Sequence, residues 1–155
     1  MNKPLKFITS IIASFAAGGI GSLATTPNIP TWYAGLDKPW FNPPNWVFGP
    51  VWTLLYLLMG ISLYLVWSAP QADGKRRAYL LFGMQLALNA AWSLIFFGAH
   101  APWAAAIVIV ALLVLIIMTM RQFWQFSRLA AWLLLPYALW VGFAACLNIG
   151  IALLN

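Results

Sequence analysis

Acidic residues are almost missing from this chain. Asp37 and Asp73 are the only two, and charged residues of either sign make up 6% of the sequence, against about 25% in an average soluble domain. Neither acid falls inside a long apolar run. This argues against the intramembrane ionisable groups that ion-coupled pumps and transporters use. Cysteine and histidine are equally scarce, with one each, Cys146 and His100. One cysteine excludes an internal disulfide framework. Together the two residues cannot build a multi-ligand metal site. His100 could supply at most one axial ligand to a haem; otherwise it is a solvated loop histidine. No nucleophile elbow and no phosphate-cradling glycine loop is present, so a conventional hydrolase or kinase has no support.

Apolar residues are what the chain has in excess: 64% of it is hydrophobic and its mean hydropathy is +0.88. Five segments carry no Asp, Glu, Lys or Arg: residues 7–24, 47–67, 78–98, 103–120 and 129–154. Each is long enough to cross a hydrocarbon core of about 30 Å as a helix. They are too long and continuous for barrel strands, and only helices or closed barrels satisfy the backbone in lipid. The chain therefore reads as an all-α membrane protein, a single five-helix transmembrane domain over residues 1–155. The net charge of +6 sits at the segment ends, which suits membrane orientation and not nucleic-acid binding.

With five spans, Lys3, Lys6, Lys75, Arg76, Arg77, Arg121 and Arg128 share one side and Lys38 alone lies on the other. The positive-inside rule then places the N-terminus in the cytoplasm, with the C-terminus and the first loop outside. Lys3 and Lys6 before an apolar run also resemble a secretory signal. Gly18, Gly19 and Gly21 favour close helix packing instead. Residues 121–128 mix Phe123, Trp124 and Phe126 with polar groups, as an interfacial belt does. Pro136 should kink the fifth span by removing one of its hydrogen bonds.

The most informative stretch is Asp37-Lys-Pro-Trp-Phe-Asn-Pro-Pro-Asn-Trp-Val-Phe-Gly-Pro-Val-Trp52. It holds four of the chain's ten prolines and three of its ten tryptophans. Proline presets φ and removes backbone donors, so the stretch begins as a stiff loop. It ends by starting the second span. The Trp/Pro-rich loop over 25–46 is thus a candidate lid over a pocket. In the third span Gln85, Asn89, Trp92 and Phe96 share a helix face. Two amides in hydrocarbon need partners, so this face should look inward. Gly83, Ala87 and Ala91 form a small-residue stripe on the opposite face, either a homodimer seam or a contact within the chain. Phe48, Trp52 and Tyr56 share a face of the second span. Trp140 and Ala144 share one of the fifth, with Asn148 at its edge. Indoles, phenols and amides without charge suit a flat, mostly apolar ligand with a few polar edges; the same tryptophans could equally be packing or interface anchors.

These motifs resemble the tryptophan-rich sensory protein / translocator protein (peripheral benzodiazepine receptor) family. The run from Asp37 through Tyr56 looks like its signature. Gln85-Leu-Ala-Leu-Asn-Ala-Ala-Trp92 with Phe96-Phe-Gly is similar to its third helix. Leu135-Pro-Tyr-Ala-Leu-Trp140, Phe143-Ala-Ala and Leu147-Asn are similar to its fifth. The resemblance implies a bacterial membrane receptor or sensor, a homodimer, binding a porphyrin such as protoporphyrin IX under the first loop. Light- and oxygen-dependent porphyrin breakdown, with Trp52 and Trp140 as redox partners, is one alternative it implies. Transport of porphyrin or another amphiphile is a second. The candidate ligand contacts are Trp32, Trp40, Pro43, Pro44, Phe48, Trp52, Tyr56, Gln85, Asn89, Trp92, Phe96, Trp140, Ala144 and Asn148. No resident cofactor or metal is required. The Tyr and following basic residue that the animal sterol motif needs after Leu147-Asn148 are missing, so sterol recognition by that motif is not expected.

Overall fold

A computed structural model describes residues 2–155. Among these residues, five helical stretches are long and apolar enough to cross a membrane: Lys3–Asn28, Asn45–Ser68, Lys75–Gly98, Pro102–Trp124 and Arg128–Leu154. They contain six α-helices: α1 (Lys3–Asn28), α2 (Phe48–Ser68), α3 (Lys75–Ser93), α4 (Pro102–Trp124), α5 (Arg128–Leu133) and α6 (Leu135–Leu154). α1 packs on α2 and α3, α3 on α4, and α4 on α5 and α6. α5 closes the ring against α2, whereas α6 hardly touches α2.

Helix ends run further than the uncharged segments. α1 begins at Lys3, where the Asn2 side chain accepts the Leu5 N–H at 3.1 Å, a standard N-cap bond. It continues through Pro27 to Asn28, so the first loop starts four residues later than its composition suggests. α3 starts at Lys75 directly after Gly74, whose φ of 87° suits glycine. The basic run 75–77 is therefore a helical first turn. Lys75 is buried there, and its Nζ donates to the Ala69 carbonyl at 2.6 Å. Lys6 and Lys75 also both approach the Trp67 carbonyl at 3.4 Å. Cations beside the carbonyls that end α2 complement its dipole. α4 likewise runs through Trp124, leaving a short turn before Ser127 caps α5 by accepting the Ala130 N–H.

The expected interfacial belt at 121–128 is only partly realised. Trp124 is exposed and has the Arg128 guanidinium over its ring at 5.7 Å. Phe123 is fully buried and stacks on Phe82 at 5.7 Å. Continuing α4 turns that ring inward. The fifth span breaks where Pro136 predicts. Pro136 stands near the start of α6 and offers no N–H to the preceding turn. Leu134 joins the two pieces, its N–H turned to the Ala131 carbonyl at 3.2 Å.

One feature left no mark in the sequence. α3 ends in a π-helical turn, Leu94–Gly98, closed by the Ala99 N–H on the Leu94 carbonyl at 2.9 Å. The extra residue lets adjacent Phe96 and Phe97 both be buried. Such turns occur preferentially at functional sites.

Candidate functional site

A cavity of about 390 Å³ lies at the first-loop end of the bundle, between α1, α2, α3 and α6. This is within the usual size range of small-molecule sites. One wall is a run of tilted, near-parallel rings. Tyr56 and Trp52 stack at 5.6 Å, Trp52 and Trp92 at 6.5 Å, and Trp92 and Phe96 at 5.7 Å. Trp140 of α6 faces Phe48 edge-on at 5.9 Å. Ala144 and Leu147 complete the α6 side. α1 supplies a more polar wall: Gly18, Ser22, Thr25 and Thr26.

Hydrogen bonds hold these rings in place. Trp92 Nε1–H donates to Asn148 Oδ1 at 2.9 Å, and Asn148 Nδ2–H donates to the Pro102 carbonyl at 2.8 Å. Beneath the cavity, Tyr56 O–H donates to Asn89 Oδ1. Asn89 Nδ2–H donates to the Tyr137 hydroxyl at 3.0 Å, and Tyr137 O–H to Gln85 Oε1 at 2.8 Å. All four residues of this network are buried. The amides thus find phenols as partners where no water would reach them, removing the cost of burying them bare. The Trp140 indole N–H is the exception: it is buried without an acceptor among the described residues.

Eight of the predicted contacts line the cavity: Phe48, Trp52, Tyr56, Trp92, Phe96, Trp140, Ala144 and Asn148. Six do not. Gln85 and Asn89 face inward as their shared helix face implies, but their amides are consumed in the network below the floor. Trp32 lies behind the wall, edge-on to Phe96 at 5.4 Å and stacked on His100 at 4.4 Å. Trp40 is 95% exposed. Pro43 and Pro44 are also outside the lining. They stiffen the loop that delivers Asn45 and Trp46, which do line the cavity. The α1 wall was missed as well. Its signal was the register Gly18, Ser22, Thr25 and Ile29, which places small and polar groups on one face of an otherwise apolar helix.

The first loop, the expected lid, is anchored on α6 and the residue that follows it. Asn155 accepts the Asp37 N–H at 3.0 Å and donates to the Asp37 carbonyl at 2.9 Å. Pro39 packs so near Gly150 that a Cβ there would come within 3.0 Å of its ring. Phe41 meets Phe143 at 6.2 Å. Within the lid, Tyr33 O–H donates to Asn42 Oδ1 at 2.9 Å, and Lys38 Nζ sits over the Tyr33 ring at 4.7 Å. Burial raises the Tyr33 phenol's pKa, and the Asn42 bond partly offsets the rise. His100 joins the lid's start to the α3–α4 turn, its Nε2 lying 2.9 Å from Asn28 Oδ1.

Gly83 and Ala87 of the small-residue stripe are exposed on the outer surface of α3, and Ala91 is half-buried. A Cβ at Gly83 would meet nothing within 4 Å. At Gly83 and Ala87, then, the stripe does not pack within the chain. On α1, Gly18 lies against the Tyr56 ring and Gly21 against Ser93, whereas Gly19 faces open space.

Comparison with known proteins agrees with the fold and the motifs. The model of the TspO/MBR family matches residues 10–154. The chain is 46% identical over 151 residues to the "Tryptophan-rich protein TspO" of Archaeoglobus fulgidus, covering 97% of both chains. It is 35% identical to the "Tryptophan-rich sensory protein" of Cereibacter sphaeroides, over 96% of this chain and 90% of that one. It is 44% identical to the human "Translocator protein", over 76% of this chain and 70% of the human one. An integral membrane protein of five helical spans, this chain belongs to the TspO/MBR family.

Proposed function

We propose that the protein is a membrane receptor or sensor that binds a porphyrin, such as protoporphyrin IX, in the aromatic cavity. The observation that carries this reading is the ring wall Tyr56–Trp52–Trp92–Phe96 facing Trp140 across an uncharged cavity. Flat rings with large apolar area suit a flat π-system. The Ser22 and Thr26 hydroxyls of the α1 wall offer hydrogen-bonding groups to a ligand's polar edge, whereas the Trp140 N–H is buried away from the cavity surface. No Lys or Arg among the described residues lines the cavity. The carboxylates of a porphyrin would therefore stay at the wet mouth, since burying them unpaired is costly. Protoporphyrin IX should quench tryptophan fluorescence on binding. The pair Trp52→Phe and Trp140→Phe should weaken binding about tenfold, equivalent to about 1.4 kcal/mol. Undiminished affinity in that double variant would sink the assignment.

Two further readings concern the protein in its bilayer. The basic side faces the cytoplasm and the lid faces outward; thiol labelling of an Asn45→Cys variant only from the cytoplasmic side would overturn this. The exposed Gly83 and Ala87 stripe is the seam of a homodimer, because small residues let helix backbones approach in lipid. Crosslinking in bilayers should capture a dimer that Gly83→Leu abolishes.

A further inference from the structure

We infer that the ligand enters the cavity sideways, from the outer leaflet, through a cleft between α1 and α2, and not through the lid. This rests on the ligand-binding reading above and adds the route.

The cleft follows from how the two helices diverge. Deep in the bundle they are in backbone contact: a Cβ on Gly60 would lie 2.9 Å from Ile11 Cα and 3.2 Å from the Ser10 carbonyl. They still touch one level higher, where Gly18 meets the Tyr56 ring. Beyond Tyr56 the space between them is the cavity. Its most exposed lining residues are Ser22 and Thr26 on α1, Gly49 in the first turn of α2, and Asn45 and Trp46 where the first loop runs into α2. The lining residues from α3 and α6 are buried or half-buried. The cavity therefore opens on the α1–α2 side at its first-loop end, where the wet mouth meets the outer leaflet. Leu23, next to Ser22, is 76% exposed, an apolar side chain that marks the surrounding surface as lipid-facing. Gly49 keeps the far edge of the opening low, since a Cβ there would meet nothing within 4 Å.

The lid route is obstructed by contrast. Opening it would break both Asp37–Asn155 hydrogen bonds and separate Pro39 from Gly150 and Phe41 from Phe143. Sideways entry breaks none of these. An apolar planar molecule is concentrated in the bilayer by the hydrophobic effect. The Ser22 and Thr26 hydroxyls, one helical turn apart, give the polar edge of such a molecule a place to hydrogen-bond as it passes.

The test uses full-length protein in lipid vesicles, with protoporphyrin IX as probe and stopped-flow tryptophan quenching as readout. The double variant Ser22→Leu with Gly49→Leu narrows the cleft. It should slow association and dissociation together, each by about fivefold or more. Asn155→Ala loosens the lid and should leave association within about twofold of wild type. In wild-type vesicles, association should follow the mole fraction of probe in the bilayer as lipid content is varied at fixed total probe. That arm needs no variant to fold. Wild-type rates in the narrowed variant, or several-fold faster association in Asn155→Ala, would overturn the portal while leaving binding intact. Absence of quenching in wild type would overturn the binding reading and the portal with it.

Discussion

The two halves of the bundle use the same helices for opposite ends. In the half nearer the basic side, helices are drawn together. Gly60 admits the α1 backbone, Ser62 Oγ donates to the Ala130 carbonyl at 2.7 Å, and Phe82 stacks flat on Phe123. In the half nearer the lid, α1 parts from α2, although α1 still lies on α3 where Gly21 meets Ser93. α6 barely contacts α2, and Phe48, Trp52 and Trp140 occupy the space between. Between the halves lies the Tyr56–Asn89–Tyr137–Gln85 network. The difference teaches that residue size, not hydrophobicity, divides scaffold from site. Both halves are apolar; lipid gives no hydrophobic drive between helices, so close packing must supply the cohesion.

If the lower half is the scaffold, Gly60→Leu should have the largest effect. The side chain would meet Ile11 and Ser10 of α1, and overpacking of this kind costs about 3 kcal/mol. A thermal unfolding midpoint in detergent equal to wild type would break the comparison. Asn89→Leu comes next. It leaves the Tyr56 hydroxyl with no acceptor, at a cost of about 2 kcal/mol. It should also loosen Tyr56 in the cavity wall, so stability and porphyrin affinity should fall together. An affinity loss with unchanged stability would detach the network from the scaffold. The smallest effect belongs to the lid. Asn155→Ala removes two hydrogen bonds to Asp37, costing about 1 kcal/mol locally. Amide hydrogen exchange should quicken across residues 36–42 and stay unchanged in α2 and α4. Faster exchange in those helices would mean that lid and scaffold are one unit.

Much of this was legible because membrane folding exposes its rules in composition. The five spans followed from charge-free runs, and the inward amide face of α3 followed from Gln85 and Asn89 at a spacing of four. Pro136 marked the break in the fifth span. Helix ends were less legible. Lipid-crossing length sets a minimum, and a helix can extend through Lys75 or Arg121 once their charged ends find carbonyls or water. The site was half legible. Trp52, Trp92 and Trp140 could be chosen as large aromatics on inward faces. Gln85 and Asn89 stand outside the cavity lining, and only packing reveals that Tyr56 and Tyr137 claim their amides. Trp40 and Trp46 look alike in sequence and both are exposed, yet loop geometry sets only Trp46 at the edge of the cavity.

By itself, then, the sequence determined the solvent, the number of spans, the proline break and the family. Each depends on local composition or on a motif read along the chain. Tertiary structure alone decided where the space lies. A cavity is set by how far two backbones diverge, and that distance depends on which small residue of one helix meets which residue of another. Gly18 beneath Tyr56 and Gly60 against Ile11 close one end of the α1–α2 pair, and the rings above hold the other end open.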